Sequence, residues 1–228
     1  MGAAAGPVQD QPVRAALAAS NSEMPKLDLK RVRKELFTAP RGEFAALMVP
    51  RVLYLMADGH GDPNASPDYA RAVEALYSAA YALKFACKAQ GRDFVVAPLE
   101  GLWSAADPSS FVERRKHEWD WTMLIMVPDF IDDAAFAGAR EKAASKLGQL
   151  PPSLRLEALE EGLCLQALHI GSYDEEGPLL ARLHKEVMPA GGYDFAGPHH
   201  EIYLGDPRKT APSKLKTILR QPVRKAAA

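Results

Sequence analysis

The feature of this sequence best suited to chemistry is an acid set among aromatics. In His199-His200-Glu201-Ile202-Tyr203-Leu204, strand alternation puts His199, Glu201 and Tyr203 on one face and His200, Ile202 and Leu204 on the other. A carboxylate in the middle of a short strand is disfavoured by propensity, so Glu201 reads in two ways. It lies on a wet face of an antiparallel sheet, or it points into an apolar cleft. There burial would raise its pKa and fit it for general acid–base work or for receiving a cation. Aromatics are available to line such a cleft. Tyr77, Tyr81 and Phe85 step by four, a second stripe beside an Ala/Leu/Val helix face. Trp119 and Trp121 share a strand face with Met123 and Ile125, and Trp103 and Tyr173 stand where strands are expected to end. Core packing is the competing role, expected for Trp121 and Phe85. Tyr77 and Tyr81 carry hydroxyls that need partners when buried and stay open between core and cleft.

Other chemistries find little support. Gly59-His60-Gly61 lies between a strand and a helix, but Asn64 stands where a dinucleotide fingerprint needs its third glycine. His199 and His200 are adjacent on a strand and point to opposite faces, so they cannot chelate one ion. The sequence holds no CxxC, HExxH or GxSxG. Neither a metal nor a cofactor is implied. The stretch Arg208–Lys225 carries seven basic residues and no acid. It lacks a helix-turn-helix pattern and aromatic interleaving, so it reads as a solvated surface rather than a nucleic-acid patch.

The elements that must position these residues alternate between strand and helix. Ala45 to Asp58 reads as a strand closed by a turn at Gly59–Pro63. Ser66-Pro67 then caps a helix whose Tyr69, Ala72, Val73, Leu76, Ala80, Leu83 and Cys87 share one face, with Gly91 as its stop. Phe94 to Trp103 and Trp119 to Val127 are strands. The order then repeats: a strand at Gly162 to Ile170, a turn, a helix from about Asp174 to Met188, and strands at His199 to Leu204 and Leu215 to Val223. A helix at Asp132 to Leu147 and a short strand at Leu154 to Glu157 connect the two sets. The fold class is therefore α+β, with tandem strand–helix–strand–strand halves, about 44–128 and 154–224, joined by a connector over 129–153. A ligand cleft is expected between the halves.

The chain has 228 residues, 28 Lys+Arg against 29 Asp+Glu, and two cysteines. The near-zero net charge gives no global reason to bind nucleic acid or an anionic membrane, and no apolar run reaches the ~20 residues of a membrane span. Two cysteines in apolar surroundings suit a reducing, cytoplasmic setting. Residues 1–25, rich in Ala, Gly, Pro and Gln, read as a flexible leader before a domain over 26–228.

The stretches at 72–103, 118–131, 161–178 and 199–223 closely resemble stand-alone GyrI-like small-molecule-binding proteins, in the subgroup that includes cyclopropanoid cyclopropyl hydrolases. The resemblance spans about Leu27 to Val223. It implies a tandem fold with a cleft between halves, and that Glu201 matches a buried acid that receives lipophilic cations in related effector-binding domains. In the hydrolase members a cyclopropane fused to a dienone is opened. By that likeness Glu201 activates water, Tyr203 or Tyr173 stabilises charge on the dienone oxygen, and Trp103, Trp119, Tyr77, Tyr81 and His199 hold the ligand. The alternatives are a non-catalytic binder of lipophilic cations, or a gyrase-inhibitor-like protein acting on a protein partner.

Overall fold

The computed structural model describes residues 25–107 and 109–226; residues 1–24 of the expected leader lie outside the described residues. In chain order the elements are α1 (Leu29–Val32), continued by a 3-10 turn at Lys34–Phe37, β1 (Ala45–Val49), β2 (Val52–His60), α2 (Pro67–Ala89), β3 (Leu99–Ala105) and α3 (Ser109–Val112). There follow β4 (Trp119–Met126), α4 (Asp133–Leu147), β5 (Arg155–Leu159), β6 (Gly162–Ile170), α5 (Gly177–Arg182), a π turn at Leu183–Val187, α6 (Met188–Gly191), β7 (Tyr193–Phe195), β8 (His199–Tyr203) and β9 (Lys216–Lys225).

One antiparallel sheet runs in the order β1-β6-β9-β8-β3-β4-β2-β5, with β7 also pairing β9. The strand–helix–strand–strand unit occurs twice, as β2-α2-β3-β4 and as β6-α5-β8-β9. The two units meet edge to edge where β3 pairs β8, Gly101 facing Glu201. The sheet is symmetric about that seam. Each unit's leading strand also crosses to the other: β1 pairs β6, and β5 pairs β2.

Several boundaries differ from the sequence reading for physical reasons. The expected strand over Ala45–Asp58 is split at Pro50-Arg51, where proline has no N–H for the ladder, and its two pieces join opposite ends of the sheet. The second piece outlasts the expected turn: Gly59 and His60 stay paired with Trp121 and Asp120. Gly59 is needed there, because a Cβ on it would overlap the Trp121 ring. The strand expected from Phe94 begins only at Leu99, after Pro98; Phe94 itself bridges to Leu27. Trp103 therefore lies inside β3 rather than at a strand end.

The 23 residues of α2 start at Pro67, and the helix buries Ala72, Ala75, Leu76, Ala79, Ala80, Leu83 and Cys87. The alanines let it lie close to the sheet and to α4, which answers with buried Ala139 and Ala143. The helix expected over Asp174–Met188 begins only at Gly177 and runs on to Gly191, with a π turn inside it at Leu183–Val187. Pro189 cannot donate a hydrogen bond and its ring would crowd the Lys185 carbonyl, and the π turn ahead of it absorbs both effects.

On the sheet face away from α2 and α5 lies a buried polar network. His200 Nε2 and Nδ1 sit 2.9 Å from Glu100 and 2.9 Å from Glu161. Arg220 donates to Glu161 at 2.9 Å and to the Leu36 carbonyl at 2.7 Å. Gln166 Nε2 donates to the carbonyls of Glu35 and Thr38. These bonds fasten the Leu29–Thr38 segment across the back of the sheet.

Candidate functional site

A cleft of about 2140 Å³ opens between α2 and α5, with the β3/β8 seam as its floor. Alternation on β8 sends His199, Glu201 and Tyr203 into it and His200 and Ile202 to the opposite side, as the sequence pattern requires. Glu201 is 14% exposed. The Tyr203 hydroxyl donates to Glu201 Oε2 at 2.8 Å and accepts from Trp103 Nε1–H at 3.1 Å. Gly101, directly across the seam, makes this clamp fit: a Cβ there would sit 3.0 Å from both Trp103 Nε1 and the Tyr203 hydroxyl. The clamp leaves Glu201 Oε1 facing the cleft, 3.6 Å from His199 Nε2.

A second carboxyl completes the floor. Glu176, in the turn leading into α5, is 4% exposed, and its Oε1 has no hydrogen-bond partner. Burial raises the pKa of both carboxyls, and the charge of Glu201 raises that of Glu176 further, while the hydrogen bond from Glu176 lowers that of Glu201. Glu201 is partly relieved by the Tyr203 hydrogen bond and by the charge of His200 beneath the sheet. Glu176 has the larger rise, so as pH increases Glu201 is the first of the pair to give up its proton.

Aromatic rings wall the site. Tyr69 stacks on Trp103 with centroids 6.4 Å apart and meets Trp121 edge-on at 5.2 Å. Trp119 packs edge-on against Trp103 at 5.9 Å and lies tilted against Phe111 at 5.1 Å. Tyr173 lies edge-on to Tyr203 at 5.5 Å; burial beside Glu176 and Glu201 pushes its hydroxyl up to about 12. Tyr77 is half-buried on the α2 wall, and Tyr81 and Phe85 stack on each other at the outer lip.

All eight residues singled out from the sequence, Glu201, Tyr203, Tyr173, Trp103, Trp119, Tyr77, Tyr81 and His199, line this one cleft. Trp121 is core, as expected, at 2% exposure, but Phe85 is not: it is 61% exposed on the cleft lip. Along the stripe that carries it, Tyr81 is exposed as well, so among the described residues this outer part of the α2 face is left uncovered. Sequence reasoning placed Tyr69 on the core face and passed over Glu176. The run Asp174-Glu175-Glu176 ahead of Gly177-Pro178 marked a helix start, but which of three acids turns inward depends on the turn at Tyr173–Glu175. Among the described residues, no three His, Cys, Asp or Glu side chains gather as a metal site, and no helix is long and apolar enough to cross a membrane.

The fold is found in known proteins. Solved structures from Listeria innocua superpose closely. An uncharacterized conserved protein matches with TM-score 0.79 and 37% identity over 87% of this chain and all of its own. A hydrolase matches with TM-score 0.77 and 37% identity over the same shares. The C-terminal domain of EcmrR has the same fold at TM-score 0.52 and 14% identity, covering 81% of this chain and 98% of its own. No curated protein matches. The family model for the GyrI-like small molecule binding domain matches residues 47–224, and the chain belongs to that family.

Proposed function

We propose that this GyrI-like protein hydrolyses planar hydrophobic toxins carrying a strained, electrophilic ring, of which a cyclopropane fused to a dienone is the type. The observation that carries this reading is the pair of buried carboxyls, Glu176 and Glu201, among aromatic walls, with Glu176 the harder to ionise. Trp103, Trp119 and Tyr69 stack on the flat body of the substrate. Glu201, ionised and aimed by Tyr203, takes a proton from a water as its oxygen bonds to a ring carbon. The cyclopropane C–C bond breaks and its electron pair moves through the dienone to the carbonyl oxygen. Glu176, protonated, gives its proton to that oxygen, yielding a phenol. The proton gained by Glu201 then returns to Glu176, so the pair resets without solvent.

This assignment moves the oxygen-stabilising role from Tyr203 to Glu176. The Tyr203 hydroxyl already donates to Glu201 and has no second proton to offer. The relative from Listeria innocua that is a hydrolase supports hydrolysis. The reading is tested by incubating purified protein with a dienone-cyclopropane compound and following the mass gain of water. Glu201→Gln and Glu176→Gln should each slow ring opening by about 10²–10⁴-fold. Unchanged rates in both variants would sink the mechanism.

One feature favours a second reading. Glu201 Oε1, ionised and facing aromatic rings, is a receptor for a lipophilic cation. A binder without turnover would hold such cations tightly, lose them in Glu201→Gln, and leave the cyclopropane compound intact.

A further inference from the structure

Beyond Glu201 the cleft continues into an arm that the acid–base chemistry does not use. Along β8, Glu201 separates Tyr203 on one side from His199 on the other. Across the cleft, Glu176 precedes α5 and His184 follows about 12 Å further along the helix, so His184 faces the His199 side. The arm is bounded by His199, His184 and Phe195.

Three observations converge on it. Both ring nitrogens of His199 are buried and neither makes a hydrogen bond of normal geometry, its polar neighbours being Gln221 and Glu201 Oε1, the latter 3.6 Å from Nε2; such groups are destabilising unless a guest satisfies them. Phe195, on the short strand β7, is 51% exposed and meets His184 edge-on at 5.1 Å. Finally, the π turn holds His184 in place. Leu183 and Met188 both belong to the small core with Leu165 and Val223. Five residues apart, they would point about 140° apart on an α-helix, and the wider π turn brings both to one side. His184, next to Leu183, is thereby kept on the cleft side, and π turns often mark functional sites.

The arm is also uncharged in its depth. Burial pushes the His199 imidazole down to about 3, and burial lowers His184 as well, so both rings are neutral at physiological pH. Lys185 stands at the rim and Glu201 at the junction. A neutral imidazole offers one donor and one acceptor.

We propose that this arm is a second ligand subsite, which receives a flat, uncharged ring bearing hydrogen-bonding groups, bonded by His199 and packed against the His184–Phe195 wall. The inference rests on the reading of the cleft as a ligand site but not on catalysis. A ligand engaging both arms would be elongated, with its reactive centre between them over Glu201.

Acridone, a neutral fluorescent tricycle with one N–H and one carbonyl, is the probe. Fluorescence titration should show saturable binding, and long-range proton–nitrogen spectra should show the His199 ring signals moving with it. His199→Leu should weaken acridone at least tenfold, His199→Gln less. Phe195→Ala, at an exposed position that does not threaten folding, should weaken it about fivefold. Absence of binding, unmoved His199 signals, or affinities unchanged in His199→Leu and Phe195→Ala would overturn the subsite and leave ordered water as the partner of His199. Because the readout is binding, ring-opening activity can fail while the subsite stands, and the reverse.

Discussion

Replacing Tyr203 by Phe isolates the clamp on the Glu201 carboxylate. The ring and its edge contact with Tyr173 are kept. Only the hydroxyl is lost, and with it the 2.8 Å bond to Glu201 Oε2 and the acceptor for Trp103 Nε1–H. A hydrogen bond to a charged group contributes about 1.5–3 kcal/mol. One pKa unit corresponds to about 1.4 kcal/mol, so Glu201 should titrate about one to two units higher in the variant. The sign follows from the charged form: the hydroxyl stabilises the carboxylate, and its loss makes the protonated form easier to keep. Protein labelled with carboxyl-carbon-13 glutamate reads this directly, with the Glu201 signal assigned by its absence in Glu201→Gln. Where ring opening is measured, the acid limb of its pH profile should move up by the same amount, and an indole N–H signal of Trp103 should shift. A Glu201 titration that stays within about 0.3 unit of the parent would refute the idea that Tyr203 holds the carboxylate.

Further outcomes are expected elsewhere. Gly59→Ala places a methyl inside the volume of the Trp121 ring; displacing that buried indole should cost about 1–3 kcal/mol in urea unfolding. Arg220→Met strands Glu161 without its guanidinium and frees the Leu36 carbonyl. The expected loss is about 3–5 kcal/mol, with earlier proteolysis or faster amide exchange over Leu29–Thr38. Stability should peak on the acid side of neutrality. Glu161, buried but paired with His200 and Arg220, is held at about 2, so its contribution is present above 4.5 and lost as pH falls toward 2. His200, buried but paired with Glu161 and Glu100, is raised to about 9, so its contribution is present below 6.5 and lost as pH rises through 9. The Glu176–Glu201 pair has raised values, so its stabilisation is full below 4.5 and is lost above that, as the unfolded carboxyls ionise while the folded pair still holds protons. Melting temperatures should therefore be highest near pH 4.5–6.5 and fall by pH 9, and Glu176→Gln should flatten the alkaline side. A maximum at or above pH 8 would contradict these assignments.

Much of the site was legible because it rests on local regularities. The three- and four-residue spacing from Tyr69 to Cys87 and the Ser66-Pro67 start define α2 within a residue. Alternation along 199–204 correctly divides Glu201 from His200, and the β6 bounds are those of the apolar run itself. Where proline intervened the reading was poorer: Pro50 and Pro98 each cut a strand that the apolar pattern alone extends, because a missing N–H interrupts a ladder without changing hydrophobicity. Phe85 shows the same limit in another form. Its spacing places it on a stripe, but only tertiary packing decides whether that stripe is covered.

The sequence by itself determined which side chains share a face, and hence that one acid would stand among aromatics. Tertiary structure decided what that acid meets. Glu176 reaches Glu201 from a turn 25 positions away, Trp103 and Tyr203 meet above Gly101 because β3 and β8 form the seam, and β1 and β5 cross between units. Periodicity is a property of neighbouring residues, set by backbone geometry. The raised proton affinity of the two carboxyls arises only when nonlocal strand pairing and helix packing bring them together and exclude the water that would favour their ionised forms.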